Sequence, residues 1–188
     1  MSASDIFILT LVVIAVLAAI IFNRLVGKRQ MVKNGWSDID VQLKRRADLI
    51  PQFVNTVKGY AKHERALFQE VAEKRNAALA AGANPTARGN AESALSAPVK
   101  RMIALGEDYP ELKASDNFLE LQRQLAETED KIEMARRFYN GAVRELNTLV
   151  TSVPSNFIAR MTGFKTHEYF EADERDRAVP SVAGVSGS

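Results

Sequence analysis

The most apolar part of the chain is the run of residues 6–22, IFILTLVVIAVLAAIIF, which contains one Thr and no charged residue. As a helix this run rises about 25 Å, slightly less than the ~30 Å hydrocarbon core of a bilayer. The next four residues, NRLV, supply the missing turn if the Arg24 side chain extends to the lipid headgroups. The pattern therefore predicts a single transmembrane helix over residues 6–26, preceded by a short flank over residues 1–5.

A cleaved signal peptide is the alternative interpretation of this run. It fits less well, because the flank MSASD carries no positive charge and no small-x-small cleavage site closes the run. Four bases follow the run and none precedes it: Arg24, Lys28, Arg29 and Lys33. The positive-inside rule then places the N-terminus outside and the rest of the chain in the cytoplasm, as a single-pass protein of the cytoplasmic membrane.

Beyond the anchor, apolar residues recur with a period near 3.5, and no stretch alternates with period two, so the domain is predicted to be all-α. The first stripe is Trp36, Ile39, Leu43, Ala47, Ile50, Val54, Val57, Ala61, Phe68 and Val71. It predicts one long helix that ends in the turn-rich segment AAGANPTARGN, residues 80–90. A shorter helix is predicted over about 91–105, ended by Pro110.

The second stripe is the most regular: Phe118, Leu121, Leu125, Thr128, Ile132, Ala135, Tyr139, Ala142, Leu146, Leu149 and Val153. It predicts a long helix broken by Pro154, and SNFIARMTG predicts a short helix ended by Gly163. The predicted fold is an elongated bundle of three long or medium helices plus a short C-terminal helix, over residues 27–172. Residues 173–188 are polar and rich in Gly and Ser, which predicts a disordered tail. The pattern leaves the relative direction of the long helices open.

Pro51 stands inside the first stripe, which stays in phase across it, so we predict that the helix continues. The proline lacks an N–H and its ring clashes with the carbonyl of Ala47, which predicts a local kink. We interpret the kink as a packing feature rather than a functional hinge.

Composition and motifs exclude several classes of function. The chain has 25 Lys and Arg against 23 Asp and Glu, which argues against a nucleic-acid binder, and it has no Cys for thiolate chemistry. Neither His63 nor His167 follows a Glu by three residues, as a di-iron bundle requires, and Leu67 stands where a zincin has its second His. No P-loop is present, and no Gly-x-Ser-x-Gly occurs before the tail. We therefore predict no catalytic, cofactor or metal site.

Two surfaces could carry a function that is not catalytic. Lys44, Arg45 and Arg46 form a basic triplet that either contacts anionic lipid or pairs with acidic side chains of other helices; we favour internal pairing. Leu49, Phe53 and Tyr60 widen the first stripe. They are either core residues of the bundle or an oligomer surface, and the sequence does not decide between the two.

The chain resembles the LemA family of bacterial membrane proteins. The resemblance rests on WSDIDVQLKRR, LIP, VKGYAKHE and RRFYN, and extends over nearly all of residues 22–172. It implies an N-terminal membrane helix, a cytoplasmic bundle of long helices and no established enzymatic activity; a relative that acts in magnetosome formation points towards membrane shaping. Two residues depart from the family pattern. Pro98 predicts a split or kinked second helix, and Gly141 lowers helix propensity by about 1 kcal/mol.

The sequence thus favours a non-enzymatic scaffold that is anchored in the membrane, self-associates, and organises or shapes the cytoplasmic membrane from its inner face. The alternative is an adaptor or regulatory subunit for a membrane enzyme such as a protease or signalling kinase. Expected partners are the lipid bilayer, further copies of the chain and other membrane proteins, but not nucleic acid.

Overall fold

The computed structural model describes residues 2–170, and the regular structure in this part of the chain is entirely α-helical, which confirms the predicted all-α class. The predicted tail, residues 173–188, lies outside the described residues. The helices are α1 (Ala3–Lys58), α2 (Arg65–Ala80), α3 (Pro85–Glu107), α4 (Pro110–Lys113), α5 (Asp116–Thr151) and α6 (Ser155–Thr162). α1 passes residue 26 without a break.

The first stripe belongs to two helices, so the prediction of one unbroken helix is wrong. α1 ends at Lys58 and α2 begins at Arg65, with a turn between them in which the N–H groups of Tyr60 and Ala61 both donate to the carbonyl of Val57. Val57 and Ala61 are buried all the same. The apolar period therefore continues through the turn, which hides the end of the helix from a reading of the pattern.

α3 begins about six residues earlier than predicted, inside the segment interpreted as a turn. Asn84 is its N-cap: the Asn84 side chain accepts a hydrogen bond from the Ala87 N–H at 2.8 Å, and Pro85 occupies the first helical turn. Asn followed by Pro is a helix-start signal as much as a turn signal. α3 also continues through Pro98, which is buried within it, and is not split there.

The C-terminal helices follow the prediction more closely. α5 spans most of the second stripe, and eight of its stripe residues are buried: Phe118, Leu121, Leu125, Thr128, Ile132, Tyr139, Ala142 and Leu146. Pro110 does not simply end α3, because it begins the four-residue helix α4. α6 ends at Gly163, whose φ of 75° lies in the left-handed region that favours glycine.

The described chain divides into two compact units, and α1 and α5 each contribute to both. The first unit combines Met1–Arg46 with Gln124–Tyr169. In it, Trp36 packs against Tyr139 with ring centroids 5.7 Å apart, and Arg46 pairs with Glu129 at 3.2 Å. Residue numbers rise along α1 as they fall along α5. The two helices are therefore antiparallel in this unit, which settles the direction that the sequence left open.

α1 and α5 approach each other closely at Gly35. A Cβ atom at this position would lie 3.0 Å from the Cα of Tyr139 and 3.0 Å from Cδ1 of Phe138. A side chain at this position would make tighter contacts than usual with α5, so glycine favours the close approach of the two helix backbones.

The second unit is built on Ala47–Arg123. Its core includes Phe53 of α1 and Phe118 of α5, both fully buried, with ring centroids 5.2 Å apart. α2 packs against α3, and Arg101 pairs with Glu70 at 2.5 Å on their exposed surface. Gly106 leaves room for the Phe118 ring, which a Cβ atom there would overlap.

Candidate membrane-proximal site

The first third of α1 is an apolar surface that no other helix among residues 2–170 buries. An 18-residue window reaches a mean hydropathy of 3.0 with none of it buried, so the helix is long and apolar enough to cross a membrane. Large side chains from Ile6 to Leu17 are about half exposed. Burial begins at Leu25, which is 0% exposed. The packed unit therefore starts where the apolar run ends.

The four flanking bases lie on α1 at this boundary. Arg24, Arg29 and Lys33 are exposed, whereas Lys28 is partly buried and forms an ion pair with Glu145 of α5. Arg24 and Lys28 are four residues apart and so lie on the same face of α1.

That face borders a groove of about 480 Å³ between α1 and α5. Its lining combines three bases, one acid, one hydroxyl and one apolar side chain: Arg24, Lys28, Arg144, Glu145, Thr148 and Leu149. Guanidinium, ammonium and hydroxyl groups are the donors that bind phosphate oxygens, so the groove has the chemistry to hold an anionic lipid headgroup. Arg144 and Thr148 were missed in the sequence, because they lie more than a hundred residues from Arg24 and only the antiparallel pairing brings them near it.

The segment after α6 returns along this end of the unit. The Phe164 ring meets Phe22 edge to face, with centroids 6.1 Å apart, and the Arg29 guanidinium lies 4.7 Å from the Phe164 ring centroid. Asn147 of α5 holds the next turn of chain: its side chain accepts from the His167 N–H at 2.8 Å and donates to the His167 carbonyl at 2.9 Å. α6 is thereby held beside residues 22–29 of α1.

Tyr139 of α5 also holds the segment that follows α6. Its hydroxyl donates a hydrogen bond to the carbonyl of Glu168 at 2.9 Å, and its side chain is 2% exposed. Burial, together with the negative charge of Glu168, raises the pKa of Tyr139 to about 12 from 10.0. The phenol therefore stays neutral and donates throughout the physiological range.

The three residues of the basic triplet differ in their exposure to solvent. Lys44 and Arg45 are exposed, whereas Arg46 is 4% exposed and pairs with Glu129 of α5. Arg46 thus has an acidic partner within the first unit. Lys44 and Arg45 remain on the surface.

The three residues considered as an oligomer surface also differ in their exposure to solvent. Leu49 is 7% exposed and Phe53 is 0% exposed, so the oligomer hypothesis is wrong for these two: they are core residues, as the other interpretation expected. Tyr60 is 44% exposed, because it lies in the turn that follows α1.

The carbonyl that Pro51 leaves without a helical donor has a partner on α2 that the sequence did not reveal. α1 continues through Pro51, as predicted. The Ala47 carbonyl, which would accept from an N–H at residue 51 in a regular helix, instead accepts from Nε of Arg75 at 2.6 Å. A side chain of α2 thus satisfies the acceptor that the proline leaves open in α1.

Within residues 2–170, no group of three or more His, Asp and Glu side chains is arranged to hold a metal ion. Two acidic residues of α5 form ion pairs: Glu133 pairs with Arg137 on the same helix at 2.5 Å, and Glu129 pairs with Arg46 of α1.

Comparison with known proteins gives a family and several relatives. The LemA family matches residues 35–183. Magnetosome protein MamQ 2 of Paramagnetospirillum magneticum is 26% identical over 194 aligned residues, which cover 86% of this chain and 71% of that protein. Magnetosome protein MamQ of Magnetospirillum gryphiswaldense is 24% identical, with 71% of this chain and 58% of that protein covered. Protein LemA of Metamycoplasma hominis is 23% identical, with coverage of 82% and 71%.

Proposed function

The chain belongs to the LemA family, and from that premise we propose that it acts without catalysis, as a membrane-anchored scaffold that self-associates on the inner face of the cytoplasmic membrane. The observation that carries the proposal is the construction of α1. Its exposed apolar run and its buried stripe belong to one uninterrupted helix, Ala3–Lys58. Two similar proteins are magnetosome proteins by name, which supports a role at a membrane.

The proposed orientation rests on charge. The bases Arg24, Lys28, Arg29 and Lys33 lie at the bundle end of the apolar run, and none lies before it. This asymmetry favours an outside N-terminus and a cytoplasmic bundle. The groove beside Arg24 and Lys28 would then face the headgroups of the inner leaflet, where anionic lipids attract each nearby base by about 1 kcal/mol.

Orientation is tested with reporters fused after Ser188. We expect a reporter that works only in the cytoplasm to be active and one that works only in the periplasm to be silent. The reverse pattern would reject the inner-face assignment while leaving the anchor itself intact.

For self-association we propose a face of α5. Met134 and Phe138 are four residues apart, so they share one side of the helix, and they are 59% and 46% exposed. Large apolar side chains grouped on an exposed helix face are typical of a surface that another protein covers. A second copy of the chain would bury this pair.

The mass of the purified protein in mild detergent tests this proposal. We expect a homo-oligomer for the natural chain and a smaller particle for the variant Met134→Ser with Phe138→Ser. The control Lys131→Ser replaces an exposed residue one turn away without removing an apolar patch, and should keep the oligomer. Thermal unfolding of each variant separates lost association from lost folding.

The same measurement addresses the adaptor alternative. An adaptor for a membrane enzyme should purify as a monomer and gain mass only when its partner is supplied. A monomeric natural chain would therefore reject the scaffold proposal.

A further inference from the structure

α6 buries its small residues and exposes its large apolar ones, the reverse of the usual arrangement in a soluble protein. Its packed side carries small residues, Ser155 and Ala159, which are 6% and 0% exposed. Its outer side carries large apolar ones: Phe157 is 59% exposed and Met161 is 83% exposed. These two are four residues apart and so lie together. In water, such a helix would turn its most apolar face to the solvent.

The position of α6 suggests what covers this face. Phe164, two residues after the helix ends, packs edge to face on Phe22, the last residue of the apolar run. The Arg29 guanidinium lies over the same ring. Phe164 thus joins the C-terminal end of α6 to α1 at the level where the candidate membrane span ends.

The charges around α6 fit the same surroundings. Arg160 and Lys165 are exposed beside the apolar face, and Arg24 and Arg29 are exposed on the neighbouring part of α1. An apolar face bordered by bases is the arrangement of helices that lie in the interface of a bilayer with anionic lipids. A soluble partner would meet the apolar pair but would have no need of bases at this level.

We propose that α6 is a second membrane contact, which lies flat in the headgroup region of the inner leaflet with Phe157 and Met161 inserted among the acyl chains. The proposal rests on the membrane anchoring proposed above and adds a second lipid contact beside the membrane span. Such a helix enters to about 5–10 Å below the surface. A membrane-shaping role would follow directly, because a wedge inserted in one leaflet enlarges that leaflet.

The absence of cysteine from the chain allows a direct test. Single-cysteine variants of the full chain, Phe157→Cys and Met161→Cys, are labelled with an environment-sensitive fluorophore and placed in liposomes that contain anionic lipid. Quenching is then measured with lipids that carry a spin label either near the headgroup or near the end of an acyl chain. Val41→Cys is the matched control, because Val41 has the same 59% exposure as Phe157 and lies nineteen residues, about 28 Å, beyond Phe22.

We expect labels at Phe157 and Met161 to lose fluorescence strongly, and more to the shallow quencher than to the deep one. The Val41 label should keep its fluorescence with both. A label at Val13, in the middle of the apolar run, should be quenched most by the deep spin label. Replacing the anionic lipid with a neutral one should weaken quenching at α6 but not at Val13, because only the interfacial contact depends on the bases.

The Val13 label separates the failure of this inference from that of the proposed anchor. If Val13 is quenched and the α6 labels behave like Val41, α6 does not touch lipid and the inference is rejected alone. If the α6 labels shift to a nonpolar emission without lipid quenching, a protein surface covers the face, and the inference is also rejected. If Val13 is not quenched, the anchoring on which both rest is wrong.

Discussion

The contact between Arg75 and the Ala47 carbonyl leads to a prediction about why Pro51 is tolerated inside α1. Removal of Arg75 should cost much stability while Pro51 is present and little when it is replaced by alanine. The reason is that an alanine in place of Pro51 would restore the helical N–H that the Ala47 carbonyl lacks. The test is a double-mutant cycle of Pro51→Ala and Arg75→Met, in which Met keeps the apolar stem of the side chain.

The burial of the Ala47 carbonyl indicates how much stability each variant should lose. Ala47 is 5% exposed, so water cannot readily replace a lost donor at its carbonyl. A hydrogen bond from a charged group contributes about 1.5–3 kcal/mol, and we expect Arg75→Met to lower the free energy of unfolding by about 2 kcal/mol in the natural chain. In the Pro51→Ala background the loss should fall to about 0.5–1 kcal/mol. The resulting coupling, about 1–1.5 kcal/mol, exceeds the error of about 0.3–0.5 kcal/mol expected for independent sites.

Pro51→Ala by itself should be neutral or stabilising. The gain should stay below the about 3 kcal/mol that separates Pro from Ala in a regular helix, because Arg75 already occupies the carbonyl. Loss of the oligomer in a folded Pro51→Ala variant would overturn the interpretation of the proline as a packing feature.

Urea unfolding of the full chain in mild detergent, followed by circular dichroism, supplies the four free energies. Arg101→Met is the matched control, since Arg101 forms an ion pair with Glu70 and is 58% exposed. An exposed pair contributes about 0–1 kcal/mol, and its removal should cost the same in both backgrounds. An equal cost of Arg75→Met with and without Pro51 would refute the proposed link.

Three further predictions concern the first unit. Arg46→Gln should lower the free energy of unfolding by about 1–3 kcal/mol, because it removes a buried charge from its ion pair, whereas Lys44→Gln should stay within about 0.5 kcal/mol in the same urea assay. Gly35→Ala should lower the free energy of unfolding by about 1–3 kcal/mol, because the new Cβ atom would press on the α5 backbone. Gly141→Ala should raise it by up to about 1 kcal/mol, because there is open space around its Cβ position. Equal effects of the two variants in thermal unfolding would contradict the close approach at Gly35. Tyr139 has a raised pKa, so its contribution to stability should be complete below about pH 10 and lost as the pH rises to about 12; the Tyr139→Phe variant, measured in parallel, should lack this component.

The fold was largely predictable where the hydrophobic period is local. The stripe of α5 gives its length and buried face directly, and Gly163 marks the end of α6. The break between α1 and α2 was not predictable in this way, because the residues of the turn keep the same period as the helices. The start of α3 was available in the sequence: Asn84 before Pro85 is a capping signal that the turn interpretation hid.

The candidate site was predictable only as a list of bases. Which base is free and which is paired depends on α5, whose residues lie about a hundred positions away along the chain. Arg46 and Lys44 differ by two positions and look alike in sequence, yet only Arg46 faces Glu129. The exposed apolar face of α6 could be read as amphipathic, but a helix pattern does not say which of its faces is outside.

The continuity of α1 has a mechanical consequence. Between Phe22 and Arg46 the helix has no break, so a continuous helix rather than a flexible linker joins the apolar run to the packed part of the first unit. Over these twenty-four residues, about 36 Å, a span tilted by the usual ~20° would carry the Arg46 end sideways by about 12 Å. If the apolar run spans the bilayer as proposed, changes in membrane thickness or slope that alter the tilt of the span would move the packed helices laterally. Conversely, a force applied to the packed helices would change the tilt of the span in the bilayer.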